Sequence, residues 1–375
     1  MLLLIPSCRR AQSTYAKRPG FEYYVTTNNS NSVEDESEML EDFLQKVTRH
    51  QDLSIDEMQM AITWMLAGRV DNDQIKALLL GLREKGEAVS ELVGAVKAMR
   101  MMMTPIRTQR SNLVDTCGTG GDGAKTFNIS TATAIVAAAA GASVAKHGNR
   151  KITSLTGSAD VLSELGVKID ASRAIVEKCL DELGLCFCFA PLLHPAMKHV
   201  SEVRKSIGVP TLFNYLGPLC NPAGASFQVI GVGSEELQTK ISAALLQLPI
   251  ESAVVVRGSD GMDEVSLGAE TNVHHVAHGF LTQTVWTPED FGLTQIDNRD
   301  LVVDSPSESA DAIRGILQGE RGAKRDIVLA NAAATLWISN HTHSLIDGAQ
   351  RAAKAIDSGA ARELLEKLSV LSNCE

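Results

Sequence analysis

The stretch DTCGTGGDGAKTFNIS, residues 115–130, places four glycines within six positions, directly ahead of an apolar, alanine-rich segment. A strand is predicted just before the glycines, at 113–116, and a helix just after them, at about 130–141. A strand, a glycine loop and a helix can together present several backbone N–H groups and the positive end of the helix to one anion. A tight turn with positive φ would require only one or two of the glycines. The sequence therefore predicts a phosphate-binding loop.

Asp122 lies inside this loop, where its carboxylate would repel a bare phosphate. A hydroxyl donor or a metal ion is therefore expected near it. Ribose 5-phosphates and magnesium pyrophosphates supply both features.

A second loop lies in VAKHGNRKITSLTGSADVL, residues 144–162, after the strand predicted at 143–146. It is rich in cations and hydroxyl groups and leads into another helix. Two such loops after adjacent strands are what a ligand with two separate phosphate groups requires. A single cation in such a loop would be interpreted as a solvated surface charge. The clustering of these cations at the carboxyl end of a sheet favours a binding site instead.

The third stretch is GMDEVSL, residues 261–267, in which Asp263 and Glu264 follow a predicted strand. Adjacent carboxylates repel one another unless they are solvated or bind a divalent ion. A surface turn is the more frequent explanation for such a pair taken alone. Beside a predicted pyrophosphate site, Mg²⁺ is favoured, because this ion takes one or two carboxylates together with phosphate oxygens.

The chain divides into two regions with different patterns. Residues 38–107 show apolar side chains at helical spacing, which predicts a small helical domain of about four helices. Helix-start signals are expected at Ser54, Asp71 and Ser90. Residues 108–375 alternate short strands with helices, which indicates an α/β domain with a central sheet flanked by helices. A helix at about 195–210 is a candidate addition to the helical domain, although it is distant in sequence.

Strands are predicted at 113–116, 143–146, 185–189, 227–232, 253–257 and 272–276. Helices are predicted between them and after them, at about 130–141, 158–165, 171–183, 195–207, 234–247, 310–318 and 323–338, and two more close the chain.

Composition and charge exclude several classes of protein. The hydrophobic fraction is 44% and the net charge is −10, and no apolar run approaches the roughly 20 residues that span a bilayer. The composition indicates a globular protein without a membrane partner, and the acidic balance argues against a nucleic-acid partner. The seven cysteines are odd in number and scattered, which favours reduced thiols in a cytoplasmic protein.

The first 37 residues differ from the rest and are predicted to be a disordered tail, because TTNNSNSVEDESE is polar and turn-prone. The apolar start MLLLIPSCRR is too short for a signal peptide. Four basic residues precede the first acid, Glu22, which keeps an organellar transit peptide open as an alternative.

Four segments of the chain resemble, in order and spacing, the signature segments of the anthranilate phosphoribosyltransferase family. They are GTGGDGAKTFNIST, AKHGNRKITSLTGSADVL, HPAMKHVSEVRKSIGVPTLFNYLGPLCNPA and GMDEVS. The resemblance extends from about residue 38 to the C-terminus. It implies transfer of the 5-phosphoribosyl group from 5-phosphoribosyl 1-pyrophosphate (PRPP) to the amine of anthranilate, with release of pyrophosphate, in tryptophan biosynthesis. It also implies a helical domain hinged to an α/β domain, and a homodimer.

The resemblance further implies the residues of the site. PRPP would be held by Gly118, Gly121, Asp122, Thr126, Asn128, Ile129, Ser130, Thr131, Lys146, His147, Gly148, Asn149, Arg150, Lys151, Ile152, Thr153, Ser154 and Ser158. Magnesium would be bound by Ser130, Asp263 and Glu264, and anthranilate would be contacted by Gly118, Asn149 and Arg204.

Arg204 lies at the edge of an apolar stripe on the helix predicted at 195–207, where a guanidinium could bind the anthranilate carboxylate in a bidentate fork. His147 and Tyr215 are candidates for acid or base groups. No general base is assigned, because the aniline nitrogen is an uncharged nucleophile and loss of pyrophosphate is the difficult step.

Two other functions are compatible with parts of the sequence. A pyrimidine nucleoside phosphorylase shares the fold and an anion loop, but its substrates lack a pyrophosphate, and the acidic pair and the KHGNR loop favour the transferase. A nucleic-acid-binding relative should be basic and should have lost the two acids, whereas this chain is acidic and keeps them.

Overall fold

The protein is described by a computed structural model that covers residues 33–120, 123–150 and 156–374. The first region consists of four helices, α1 (Val33–Thr48), α2 (Ile55–Leu66), α3 (Asn72–Lys85) and α4 (Val89–Met102). The predicted disordered tail is wrong for residues 33–37, which belong to α1, and its residues 1–32 lie outside the described residues. Ser54 and Asp71 cap α2 and α3, which confirms both predicted helix starts, and each forms a capping box. The prediction for Ser90 is wrong: α4 begins at Val89, and the Ser90 hydroxyl donates instead to the carbonyl of Leu53.

The second region contains a seven-stranded mixed sheet in the order β3-β2-β1-β4-β5-β6-β7. The first five strands in this order are parallel, and the pairs β5–β6 and β6–β7 are antiparallel. The strands are β1 (Leu113–Gly118), β2 (Ser143–Gly148), β3 (Leu185–Phe189), β4 (Phe227–Gly231), β5 (Ser252–Gly258), β6 (Thr271–Ala277) and β7 (Phe280–Trp286). The predicted fold class, a helical domain and a larger α/β domain with a central sheet, is confirmed.

Ten further helices accompany the sheet within the described residues. They are α5 (Ile129–Ala139), α6 (Ser158–Glu164), α7 (Arg173–Leu183), α8 (Ala190–Leu193), α9 (Lys198–Ile207), α10 (Glu235–Leu245), α11 (Pro306–Leu317), α12 (Ala323–Ile338), α13 (Leu345–Asp357) and α14 (Ala360–Ser372). The helix predicted at 195–207 is split, because Pro195–Met197 form a 3-10 turn ahead of α9. α11 begins earlier than predicted, at Pro306, where the Ser305 hydroxyl accepts from the backbone N–H of Glu308.

Strand β7 is the one strand of this sheet that the sequence did not predict. Six of its seven residues are exposed, so it lacks the apolar alternation that marks a half-buried strand. The turn before it has positive φ at both His278 and Gly279, which is typical of a two-residue hairpin loop, and the glycine is the sequence signal for such a turn.

Two apolar clusters cover the two faces of the sheet. One joins the sheet to α5, α11, α12 and α13. The other joins α2, α3 and α4 to α9, to α10 and to the opposite face of β4, β5 and β6. Val200 and Val203 of α9 lie in the second cluster, so α9 packs with the helices of the first region. No helix in the described part of the chain is long and apolar enough to cross a membrane.

Candidate active site

The two predicted phosphate loops leave neighbouring strands at the same edge of the sheet. β1 and β2 pair in parallel, so the glycine loop after Gly118 and the cationic loop after Gly148 begin side by side. Thr126, further along the glycine loop, forms a β-bridge with Val302. The expected adjacency of the two strands is therefore confirmed.

The glycine loop ends at the N-terminus of α5. Asn128 is the N-terminal cap residue, and its side chain makes no capping bond to the helix. Its Oδ1 instead accepts from the hydroxyls of Thr156 (2.7 Å) and Ser309 (3.0 Å). The first turn of α5 contains Ile129, Ser130 and Thr131. This helix end therefore lies beside the second loop, where the partial positive charge of its backbone N–H groups favours an anion.

The first residues of the second loop are held by contacts with α6. A Cβ at Gly148 would overlap Ser158 Oγ, and this hydroxyl donates to the carbonyl of Asn149 (3.3 Å). Arg150 pairs with Asp160 of α6 (3.0 Å), and its backbone N–H donates to Asn149 Oδ1. The loop backbone around Asn149 is thus held by α6, while the charge of Arg150 is partly balanced by a carboxylate.

Lys146 is a buried cation at the point where the two loops meet. It is 3% exposed, and its Nζ donates to the carbonyl of Thr116 (2.9 Å) and to Ser130 Oγ (3.2 Å). Burial lowers the pKa of Lys146, and the nearby carboxylates of Asp115 and Glu264 oppose this effect. The ammonium group is therefore fixed at the start of α5, close to one acid of the predicted metal pair.

The residues 261–267, here named the acidic turn, lie across the ends of β1 and β4. Asp263 Oδ2 accepts from the backbone N–H of Gly120 (2.9 Å). A Cβ at Gly118 would overlap this carboxylate, and a Cβ at Gly231 would overlap the Asp263 carbonyl oxygen. The two strand-end glycines therefore make room for Asp263, and Gly231 has a role that the sequence did not reveal.

The predicted metal ligands fit a magnesium ion in their chemistry. Two carboxylates and a hydroxyl are oxygen donors of the kind that Mg²⁺ prefers. In residues 33–120, 123–150 and 156–374 no three acidic, histidine or cysteine side chains converge on a possible metal position. This donor set suits an ion that is shared with the phosphate oxygens of a substrate.

A cavity of about 480 Å³ opens from the ends of β1 and β2 towards α9. Its lining includes all three residues predicted to contact anthranilate, Gly118, Asn149 and Arg204. It also includes Met99, His194 and Phe213, which were not predicted from the sequence to belong to the site. The cavity therefore joins the glycine loop to the helix that carries Arg204.

Arg204 is the cation of this cavity. Its guanidinium lies over the ring of Phe213, 5.3 Å from the ring centre. Among the described residues it makes no side-chain hydrogen bond or ion pair, and burial lowers its pKa. A half-buried guanidinium with free donors is a suitable partner for a ligand carboxylate.

His147 and His194 form a pair in the cavity wall. The Nδ1 atom of His147 lies 3.0 Å from the Gly217 carbonyl oxygen, and its Nε2 lies 3.2 Å from His194 Nε2. A carbonyl oxygen only accepts, so Nδ1 of His147 carries the proton and Nε2 accepts from His194. Burial lowers the pKa of His147 to about 4 and that of His194 to about 3. Both rings are therefore neutral near pH 7, and both nitrogens of His147 are already engaged.

Tyr215, the other candidate acid or base, has a phenol whose pKa is raised well above its ordinary value by burial and by nearby Glu87. It is not part of the cavity lining within the described residues. Six predicted PRPP-binding residues lie outside the described residues, namely Gly121, Asp122, Lys151, Ile152, Thr153 and Ser154.

Comparison with known proteins agrees with this arrangement. Residues 110–362 match the model of the a/b domain of a glycosyl transferase family, and residues 41–103 match its helical bundle domain. The chain is 52% identical to the anthranilate phosphoribosyltransferase of Rhodopirellula baltica, over 85% of this chain and 93% of that protein.

Two solved structures from Saccharomyces cerevisiae are similar to the whole described fold. Anthranilate phosphoribosyltransferase in complex with PRPP and Mg is 28% identical, with a TM-score of 0.83 over 90% of this chain and 99% of the other. The same yeast enzyme in complex with 4-fluoroanthranilate is 28% identical, with a TM-score of 0.80 over 89% of this chain and 98% of the other.

Proposed function

This chain belongs to the anthranilate phosphoribosyltransferase family, and from that premise we infer that it transfers the 5-phosphoribosyl group of PRPP to the amine of anthranilate. Pyrophosphate is the second product, and the reaction is a step of tryptophan biosynthesis. The competing assignment as a nucleoside phosphorylase is not supported, because the relatives that cover most of the chain are named for the transferase.

The observation that carries this function is the position of Arg204 at one side of a cavity whose other side is the glycine loop. An aromatic acid bound with its carboxylate on Arg204 would extend its ring and amine towards Gly118 and Asn149. A phosphoribosyl donor held by the loops after β1 and β2 would meet it there. The arrangement brings the nucleophile and the sugar together in one enclosed space, which lowers the entropic part of the barrier.

The PRPP phosphates are assigned to the N-terminus of α5 and to the loop that follows β2. Helix N–H groups, Lys146 and the hydroxyls of Ser130 and Ser158 are the donors that this region provides. Asp263, Glu264 and Ser130 are the residues that would hold magnesium. A bound Mg²⁺ would neutralise charge on the departing pyrophosphate.

The chain's own residues act mainly by position and charge. Lys146 is fixed where negative charge grows on the leaving group, which stabilises that charge without reorganisation. His147 is not assigned as a base, because burial lowers its pKa to about 4, which makes the ring a weak base, and both ring nitrogens are already hydrogen-bonded. The anthranilate amine attacks C1 of the ribose as an uncharged nucleophile while the bond from C1 to pyrophosphate breaks, and the proton of the resulting ammonium passes to solvent after the new C–N bond has formed.

The direct test is the fluorescence of anthranilate, followed with PRPP and Mg²⁺ and again with excess chelator. The signal should fall only when PRPP and the metal are both present. Consumption that is unaffected by complete removal of divalent ions would contradict the assignment of Asp263 and Glu264. Folded protein that consumes no anthranilate under any of these conditions would contradict the function itself.

A homodimer and a cytoplasmic location belong to the same proposal. The dimer is supported by the family resemblance, and the location by the number and scatter of the cysteines, which favour reduced thiols. Sedimentation equilibrium would give the mass of the assembly, and cell fractionation would give the location.

A further inference from the structure

Asn331 lies in the middle of α12 and is 0% exposed, yet its side chain bonds outside the helix as well as within it. Its Oδ1 accepts from the backbone N–H of Val265 (3.0 Å), and its Nδ2 donates to the carbonyl of the same residue (2.9 Å). The second Nδ2 hydrogen is directed to the carbonyl of Ile327 (2.9 Å). Each of these bonds matches donor with acceptor, so the orientation of the amide is fixed by its partners.

Val265 follows Glu264 directly, so its N–H belongs to the peptide group that joins the two residues. The Asn331 amide is hydrogen-bonded to the N–H of this peptide group and to the carbonyl of Val265. A neighbouring β-strand would bond to the same two backbone groups. On the other side, Asp263 is held by the N–H of Gly120 and by close contact with Gly231. The segment that carries the two acids is therefore hydrogen-bonded on one side to Gly120 of the glycine loop and on the other side to Asn331 of α12.

The buried hydroxyl groups in and just after the last turns of α12 differ from the Asn331 amide in this respect. Thr335 and Ser339 are also fully buried, but their hydroxyls donate to carbonyls of α12 itself. The neighbours of Asn331 along the helix, Ala330 and Ala332, are apolar and buried. The helix itself does not require a polar side chain at this position. The amide is explained by its two hydrogen bonds to the backbone of the acidic turn.

We propose that Asn331 is a positioning residue that orients Asp263 and Glu264 towards the metal-bound pyrophosphate of the substrate. The inference rests on the proposed function, because it assigns the acidic turn to a metal ion. Leucine at this position would keep the volume but bond neither group of Val265. Aspartate could accept from the N–H but could not donate to the carbonyl while ionised, so only an amide of this length satisfies both.

The test compares Asn331→Leu with Thr335→Val, a matched change one turn further along the same buried helix, which removes a hydrogen bond to the backbone carbonyl of Asn331 but leaves the Asn331 amide and its bonds to the acidic turn in place. Free Mn²⁺ is measured by electron paramagnetic resonance during titration of each protein in the presence of PRPP. Residues that orient metal ligands typically contribute about 10- to 100-fold in metal affinity, so Asn331→Leu should weaken Mn²⁺ binding by this factor. Thr335→Val should bind Mn²⁺ as the wild type does. Equal Mn²⁺ affinity in Asn331→Leu and wild type would overturn the proposal.

Hydrogen exchange of the wild-type protein without metal provides a second measurement that does not depend on a variant folding. The Val265 amide should exchange as slowly as the amides of β5, because its bond to Asn331 exists before any ion arrives. Fast exchange at Val265 would overturn the proposal. The two inferences can fail separately: an inactive wild type refutes the proposed function, whereas an active wild type with unchanged Mn²⁺ affinity in Asn331→Leu refutes the positioning role alone.

Discussion

Replacing Arg204 by alanine would remove a guanidinium group. Its only cation–π contact among the described residues is with the ring of Phe213. A contact of a cation with an aromatic ring contributes about 0.5–1 kcal/mol when exposed and about 2 kcal/mol when desolvated, and even the larger value for this half-buried guanidinium should leave the protein folded. A charge-assisted hydrogen bond to the anthranilate carboxylate would contribute about 1.5–3 kcal/mol. At 1.36 kcal/mol for each factor of ten, kcat/KM for anthranilate should fall by about 10- to 150-fold.

The assay is the initial rate of anthranilate fluorescence loss, with each substrate varied in turn at saturation of the other. The KM for anthranilate should rise, while the KM for PRPP should stay near the wild-type value, because the loops that are assigned to PRPP do not include Arg204. Lys205→Ala is the control, since Lys205 is exposed on the same helix. An equal rise of both KM values would refute the carboxylate role of Arg204.

Two further predictions concern stability. Because the pKa of His147 is about 4 in the folded protein and about 6.5 when unfolded, the unfolded state binds more protons between these values. His147 alone should therefore lower the free energy of unfolding by about 3 kcal/mol as pH decreases from 6.5 to 4, and His194, with a pKa of about 3, should add a fall of similar size. Urea denaturation at both pH values should show a smaller fall for His147→Gln, and an identical fall would contradict the burial argument. In the helical domain, Glu91 is 0% exposed and accepts from Lys85 and from the N–H groups of Leu53 and Ala88. Glu91→Leu should lower the free energy of unfolding by about 3–5 kcal/mol, and a thermal melt that matches the wild type would contradict this estimate.

The sequence predicted most of the fold because the signals were local. Glycines and cations mark the ends of β1 and β2, and the buried strand β3 is predicted with the same ends that the structure shows. Ser54 and Asp71 mark helix starts through their own side chains. The prediction at Ser90 is wrong because a serine near a helix start can equally donate to a distant carbonyl, here that of Leu53.

The parts of the site that were missed depend on contacts between residues far apart in the chain. No sequence signal near Gly231 indicates that the Asp263 carbonyl oxygen packs directly against its Cα. His194 stands within a recognised segment, but its pairing with His147 follows from the meeting of β2 with the turn after α8. Asn331 appears in the sequence as one polar residue in an alanine-rich helix, and only the packing of α12 against the acidic turn gives it a partner.

The apolar cluster that joins α2–α4 to the sheet has a consequence for modularity. Ile230, Val255 and Val276 of the sheet are buried in the same cluster as the side chains of the helical region. The two matches to family models are separated at residues 104–109, but the packing does not divide there. A fragment that begins at residue 104 would leave this face of its sheet without a cover and would be prone to aggregate. The helical region and the α/β region are therefore expected to fold together, because each covers apolar surface of the other.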